Sequence, residues 1–327
     1  MTHQNIANLR HGSQVNSDYL VISKGELRNY NNSSKKGYWF EFVLQHHTGR
    51  IRAKYWGSDY NATENLYNSF SEGDVVNVVG YVTKTNEISI SPERNGTIEV
   101  IKNARIEDYI VTVENIPWLK IHTDKLVNEL RTFIDEINDP ELKELVKSFF
   151  TDENFWEEFY NAPAAIKFHS AYKHGLLHHT VNVVKIARIM SELYPPVDRD
   201  LVLAGSLLHD IGKVKEYTMN YDISKTVEGG LFGHIYLGAE MVNERCRALG
   251  ISDEIRRKIV HIILSHHGNV SEGYGSAVDP MMPEAVIVAM ADRSDALIFQ
   301  YVNAISTNYE GSDSFFRDRH LGWLYRS

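Results

Sequence analysis

The sequence predicts a multidomain chain of mixed α and β class: an N-terminal β-barrel followed by an all-α module. Three observations carry this. Apolar residues alternate with period two through the first part of the chain, and recur at helical spacing after it. Polar turn segments such as "NNSSKKG" and "HHTG" separate the alternating runs. Histidine is concentrated in the second part, where 9 of the 15 lie between His169 and His267. The expected boundaries are a barrel over 1–110, a helical connector over 111–160 and a second module over 161–327.

The elements follow in order. "DYLVISKGELRNY" is a strand candidate. In "YWFEFVLQ", Tyr38, Phe40, Phe42 and Leu44 share one face. "RIRAKYW" alternates again after the hairpin turn. "NATENLYNSF" reads as a short helix capped at Asn61 or Thr63. "DVVNVVGYVT" and "GTIEVIKNARI" complete the set, with a weaker strand at "ISI". Strands, a short helix and further strands is the order of a small Greek-key barrel of OB type. Past the barrel, "TDKLVNELRTFIDEI" places Leu126, Leu130, Phe133 and Ile137 at helical spacing. "DPELKELVKSFF" starts with Pro in its first turn, where the missing N–H is tolerated. Further helices are expected over 175–193, 198–211, 231–248, 252–267 and 283–300.

Composition narrows the function classes. No run of about 18 apolar residues exists, so no membrane span is expected. The opening "MTHQNIANLRHGSQ" has no apolar run of signal-peptide type. The single cysteine, Cys246, excludes a disulfide framework or thiolate cluster within one chain. Together these predict a cytoplasmic protein. Residues 1–107 carry 12 Lys+Arg against 11 Asp+Glu, and the remainder 22 against 32. The acidic second part attracts a polyanion only with local help from metal ions or a basic patch.

That second part carries the chemistry. His178 and His179 open an apolar helix. "LVLAGSLLHDIGK" ends one on His209 and Asp210, just before a helix-stopping Gly212. His234 starts another, "KIVHIILSHHG" ends on His266 and His267, and Asp292 closes the apolar run "AVIVAMAD". Neutral imidazole and carboxylate are good ligands for first-row divalent metals. A single buried His or Asp is usually structural. The same feature at helix end after helix end points to metal, which offsets the cost of burying carboxylates.

The ordered set H…HD…H…HH…D resembles the HD-domain superfamily of metal-dependent phosphohydrolases. It is carried by "LLHDIGK", "GHIYLGAEMV", "ILSHHG" and "MADRSDA". With "TGRIRAKYW", "NAPAAIKFHSAYKHGLLHHT" and "GYGS", the chain is similar to the YhaM-type 3′→5′ exoribonucleases, which join an OB fold to an HD domain. The resemblance implies that His179, His209, Asp210 and Asp292 hold one metal ion. It implies that His234, His266 and His267 complete a second site, with Asp210 as bridge and catalytic centre. Lys213 matches the lysine that contacts the substrate phosphate. The sequence reads His174 and His178 where the family has Gly and Glu. His178 is either an extra ligand or a surface histidine. One or two manganese ions are the implied cofactor; Fe, Co, Ni, Zn or Mg fit the donor types as well. Two metals bridged by a carboxylate lower the pKa of a shared water and neutralise phosphoryl charge. Arg293 and Asp295 are expected to form an ion pair beside the site, His169 to touch substrate, and His261 to be structural.

In "RIRAKYW", Arg50, Arg52, Lys54 and Trp56 share one face, with Ile51, Ala53 and Tyr55 on the other, and Trp39 projects opposite to Phe40. Charge plus an aromatic platform is what a single strand needs; a merely solvated face explains these residues as well. Lys35 and Lys36 flank that face. The activity implied is hydrolysis of single-stranded RNA, with DNA as a further substrate, to nucleoside 5′-monophosphates, in a homo-oligomer. The rivals are an HD phosphodiesterase of small or cyclic nucleotides with the barrel binding a partner, and a non-catalytic OB binder.

Overall fold

The computed structural model describes residues 4–30, 36–116, 118–166, 170–307, 314–318 and 320–326. The chain divides into two compact units, Met1–Asn115 and Ile116–Ser327. The first contains β1 (Gln14–Lys24), β2 (Arg28–Asn29), β3 (Tyr38–His46), β4 (Gly49–Trp56), α1 (Tyr60–Asn68), β5 (Val75–Val82), β6 (Glu87–Ile90) and β7 (Thr97–Val100). The strands pair as a ring. β1 lies beside β3 and β5, β3 beside β4, β4 parallel to β6, and β6 beside β5. β2 and β7 extend it on β3 and β5. This is a closed OB-fold barrel, with α1 linking β4 to β5.

Alternation builds its core. On β4, Ile51, Ala53 and Tyr55 point inward, and meet Phe40, Phe42, Leu44, Val76, Val78, Ile88 and Ile90 from neighbouring strands. The outward positions of β4 stay polar, apart from Trp56. The helix cap differs from expectation. Asp59, one residue before α1, accepts the Ala62 N–H at 2.7 Å. Thr63 is instead buried within the helix. Lys35 and most of the "NNSSKKG" turn lie outside the described residues.

The second unit is helical: α2 (Thr123–Glu136), α3 (Pro140–Phe150), α4 (Glu153–Asn161), α5 (Gly175–Glu192), α6 (Arg199–Leu208), α7 (Lys213–Glu216), α8 (Val227–Leu249), α9 (Asp253–Ser265) and α10 (Pro283–Thr307). Two hairpins interrupt it, β8 (Tyr217–Met219) with β9 (Ile223–Lys225), and β10 (Phe315–Asp318) with β11 (Gly322–Tyr325). Neither hairpin nor α4 was expected. Asp139, Asp152, Asp198, Thr226 and Ser252 cap their helices through side-chain oxygens, each stabilising a helix start by about 1 kcal/mol. α5 packs against α6 and α10, and α8 against α7 and α9. Their buried faces form the walls of the site described next. Among the described residues no helix is long and apolar enough to cross a membrane.

Candidate metal centre

Two groups of donors converge in the helical unit. One comprises His179, His209, Asp210 and Asp292, and the other His234, His266 and His267. His179 lies in the second turn of α5, whose neighbours on both sides are buried. His209 and His266 are the C-cap residues of α6 and α9. His234 follows a break in α8 at Gly233, whose φ of 73° suits glycine. Asp292 departs from the helix-end expectation: α10 continues to Thr307, and the carboxylate projects from the buried face of its middle.

The distances suit donors to a shared ion. His179 Nε2 is 3.3 Å from Asp210 Oδ2 and 3.0 Å from Asp292 Oδ1. His209 Nε2 is 3.3 Å from the same Asp210 oxygen and 3.4 Å from His179 Nε2. Asp210 Oδ1 turns the other way, 3.6 Å from His234 Nε2 and 3.5 Å from His266 Nε2. Donors about 2.1 Å from a shared ion stand roughly 3.0–3.4 Å apart in octahedral or tetrahedral arrangements. Asp210 therefore faces both groups, one oxygen to each. Asp210 Oδ1, His234 Nε2, His266 Nε2 and His267 Nδ1 are buried with no hydrogen-bond partner among the described residues. Each such atom costs about 1–3 kcal/mol. A divalent cation would satisfy Asp210 Oδ1, His234 Nε2 and His266 Nε2 at once, so the residues fit it.

The far side of four of the five rings is held by a hydrogen-bond partner. His209 Nδ1 donates to Ser206 O and His266 Nδ1 to Ile263 O, both at 2.7 Å. A carbonyl only accepts, so both Nδ1 atoms carry the proton and both Nε2 lone pairs face the centre. Carboxylates do the same for the other two rings. His179 Nδ1 donates to Asp295 at 2.7 Å, and His234 Nδ1 to Glu216 at 2.8 Å. Such partners orient ligand imidazoles and raise their basicity. Asp295 also accepts from Asn182 Nδ2 at 2.9 Å, and Glu216 from Lys225 Nζ at 2.8 Å.

The electrostatics follow. Burial opposes charge on His179, yet Asp210, Asp292 and Asp295 around the ring hold its pKa well above the usual value. Burial opposes ionisation of Asp210 too, but Lys213 and His209 keep its carboxyl well below the usual range. His179 and His209 do the same for Asp292. Burial lowers His234, and lowers His267 to about 3, so both rings are neutral near pH 7. Glu216 resists burial because His234 and Lys225 hold it at about 2.

The other expected residues fall as follows. Lys213 is buried, its Nζ 2.6 Å from Asp210 Oδ2, not solvated. Gly212 has ordinary helical φ and is not there to stop a helix; a Cβ on it would stand 2.0 Å from His234 O. Its smallness lets α8 bring His234 in. His178 is buried and not a surface residue. Its ring bonds Tyr172 OH at 2.8 Å and Asn182 Nδ2 at 3.1 Å, away from both donor groups. Burial pushes its pKa down to about 4. Arg293 pairs with Glu272 at 2.5 Å, while Asp295 serves His179, so the expected pairing beside the site divides between other partners. His261 accepts the Met281 N–H at 2.9 Å. His169 lies outside the described residues.

Arg50, Arg52, Lys54 and Trp56 sit on the outer face of β4 in the barrel unit. Trp56 stacks on Trp39 at 5.6 Å and on Tyr30 at 6.2 Å, and the Arg28 guanidinium lies 5.4 Å from the Trp39 ring. Glu87 on the parallel strand takes Lys54 at 3.0 Å and approaches Arg52 at 4.0 Å, and Arg50 bonds Gln45 at 2.7 Å. Glu216, Asn182, Tyr30 and Glu87 were missed as site residues. Asp295 was expected beside the site, but its partner is His179 and not Arg293; its position one helical turn beyond Asp292 on the same face was the signal.

Residues 176–297 match the HD domain family model, and residues 21–108 match the OB-fold nucleic acid binding domain model. The 3′-5′ exoribonuclease YhaM of Bacillus subtilis (strain 168) is 32% identical over 286 residues, 87% of this chain and 85% of the relative. The chain belongs to the YhaM family. The YhaM proteins of Listeria welshimeri and Shouchella clausii are each 30% identical, over 86% of this chain and 85% and 83% of theirs. Membership spans both units, so the barrel and the donor groups belong to one YhaM architecture.

Proposed function

We propose that the chain is a divalent-metal-dependent 3′→5′ exoribonuclease that shortens single-stranded RNA and releases nucleoside 5′-monophosphates. One observation carries this: two donor groups share Asp210 in a chain that matches exoribonuclease relatives over most of their length. His179, His209, Asp210 and Asp292 would hold one ion, and His234, His266, His267 and Asp210 a second. When bound, the ions supply Lewis acidity that activates water and neutralises phosphoryl charge.

The chain's own residues do the rest. The Nδ1 partners orient four imidazoles so that each Nε2 faces the centre before any ion arrives. Lys213, held by Asp210, is the buried cation for a non-bridging phosphoryl oxygen. Arg50, Arg52, Lys54 and Trp56 bind the strand, supported by the stacked Tyr30–Trp56–Trp39 row and the charges beside it. Manganese is the proposed ion, since mixed imidazole and carboxylate donors accept it. Single-stranded DNA is a proposed second substrate and the cytoplasm the proposed location. Exposed Val286, Met290, Leu297 and Tyr301 along one side of α10 support a homo-oligomer.

The test is purified protein with 5′-labelled single-stranded RNA and with a panel of mononucleotides, before and after chelation. A ladder shortened from the 3′ end, lost on chelation and restored by Mn²⁺, is expected. Cleavage confined to mononucleotides would sink the proposal.

A further inference from the structure

Tyr274 stands on the loop that joins α9 to α10, directly after the His266–His267 pair. The loop is pinned to its surroundings. Gly268 N–H donates to Ser265 O at 3.0 Å, Ala277 N–H to Leu264 O at 2.9 Å, and Val270 N–H to Asp279 Oδ1 at 2.7 Å. Gly275, next to Tyr274, has φ 103°, and a Cβ there would stand 3.7 Å from His267 Nδ1. The loop therefore runs against a ring of the second donor group.

A cation from α10 flanks the same tyrosine. Arg293, the neighbour of Asp292, lays its guanidinium 4.9 Å from the Tyr274 ring centre. Arg293 also bonds Glu272 Oε2, which fastens the loop to α10. Tyr274 nonetheless remains 59% exposed. An exposed aromatic ring on a pinned loop, flanked by a cation and next to a residue that adjoins His267, suits one ligand class. A nucleobase stacks on such a ring at little entropic cost, and any base will do, because every base has a π face.

We infer that Tyr274 stacks on the base of the 3′-terminal nucleotide and so sets its phosphodiester at the donor groups. The inference rests on the exoribonuclease reading and names the contact that holds the leaving nucleotide. Arg293 backs the ring and is a positioning residue. Stacking requires the ring and not the hydroxyl.

The experiment crosses two changes. Full-length wild type, Tyr274→Ala, Tyr274→Leu and Tyr274→Phe are assayed for kcat/KM on one RNA and on its twin lacking only the 3′-terminal base. Metal content is measured for each. Removing the base should slow wild type and Tyr274→Phe by about tenfold, within the range of one base–aromatic stack. It should leave Tyr274→Ala and Tyr274→Leu nearly unaffected, since they have already lost the partner. Metal content should be equal throughout. If base removal slows the alanine and leucine variants as much as wild type, Tyr274 does not stack on that base and the inference fails alone. If metal-replete wild type does not shorten RNA at all, the exoribonuclease reading fails and this inference with it.

Discussion

Replacing Asp295 by Asn removes a charge while nearly keeping the shape. Asp295 accepts two buried hydrogen bonds, from His179 Nδ1 at 2.7 Å and from Asn182 Nδ2 at 2.9 Å. An Asn offers one acceptor oxygen and one donor nitrogen. If its oxygen faces His179, its NH₂ confronts the Asn182 NH₂, and a buried donor loses its acceptor at about 1–3 kcal/mol. If its NH₂ faces His179, the ring must move its proton to Nε2, the nitrogen aimed at Asp210 and Asp292. Asn182 cannot escape by turning over, because its NH₂ also donates to His178 Nε2 at 3.1 Å. Substituting such an outer partner typically costs 10–100-fold in metal affinity. Asp295→Asn should therefore raise the Kd for Mn²⁺ by about 10–100-fold, read by calorimetric titration. Urea unfolding of the metal-free protein should show a loss of about 1–3 kcal/mol. Adding Asn182→Ala removes the donor conflict and should recover part of the affinity. Wild-type affinity in Asp295→Asn, or a further loss in the double variant, would refute the reasoning.

Three further outcomes are expected. Asp210→Ala removes the shared carboxylate, so turnover should fall by about a thousandfold or more while RNA binding, measured by anisotropy, survives; near-normal turnover would exclude the proposed centre. Burial holds His178 at about 4 against 6.5 for a free ring, so as pH falls the unfolded chain takes up this proton first. Stability should drop as pH goes from about 6.5 to about 4, by roughly 3 kcal/mol at the end of the window. Urea unfolding of His178→Gln across that range should lack this part of the slope, and an unchanged slope would show that His178 is not its source. Glu87→Gln frees Lys54, which it holds at 3.0 Å. RNA affinity should rise, and the slope of log K against log salt should steepen by about 0.7 for each additional phosphate that the freed cation neutralises; an unchanged slope means the β4 face does not meet the strand.

The barrel was legible because its strands are long enough for a period of two to show, as Ile51, Ala53 and Tyr55 do. The small hairpins were not: strands of three or four residues, such as Ile223–Lys225, carry too few positions to show one. The donors were legible because His and Asp interrupting apolar helices have few structural explanations. What orients them was not. His179 and Asp295 are 116 residues apart, and His234 and Glu216 are 18; nothing local links such pairs. Gly212 shows the same gap. Its neighbours invite the reading of a helix stop, whereas its reason is α8 passing within reach of its missing side chain.

Two of the proposed ligand rings do a second job. His209 and His266 each return an N–H to the carbonyl three residues back, at the last turn of α6 and of α9. Those carbonyls have lost their helical partners, and the rings stand in for them. Each ring is thus a clasp, with one nitrogen closing a helix and the other aimed at the centre. An ion that holds the second nitrogen also stops the first from swinging free. Fraying at these two helix ends and escape of an ion would then be coupled. With an ion bound, the last turns of α6 and α9 would be held through these two rings.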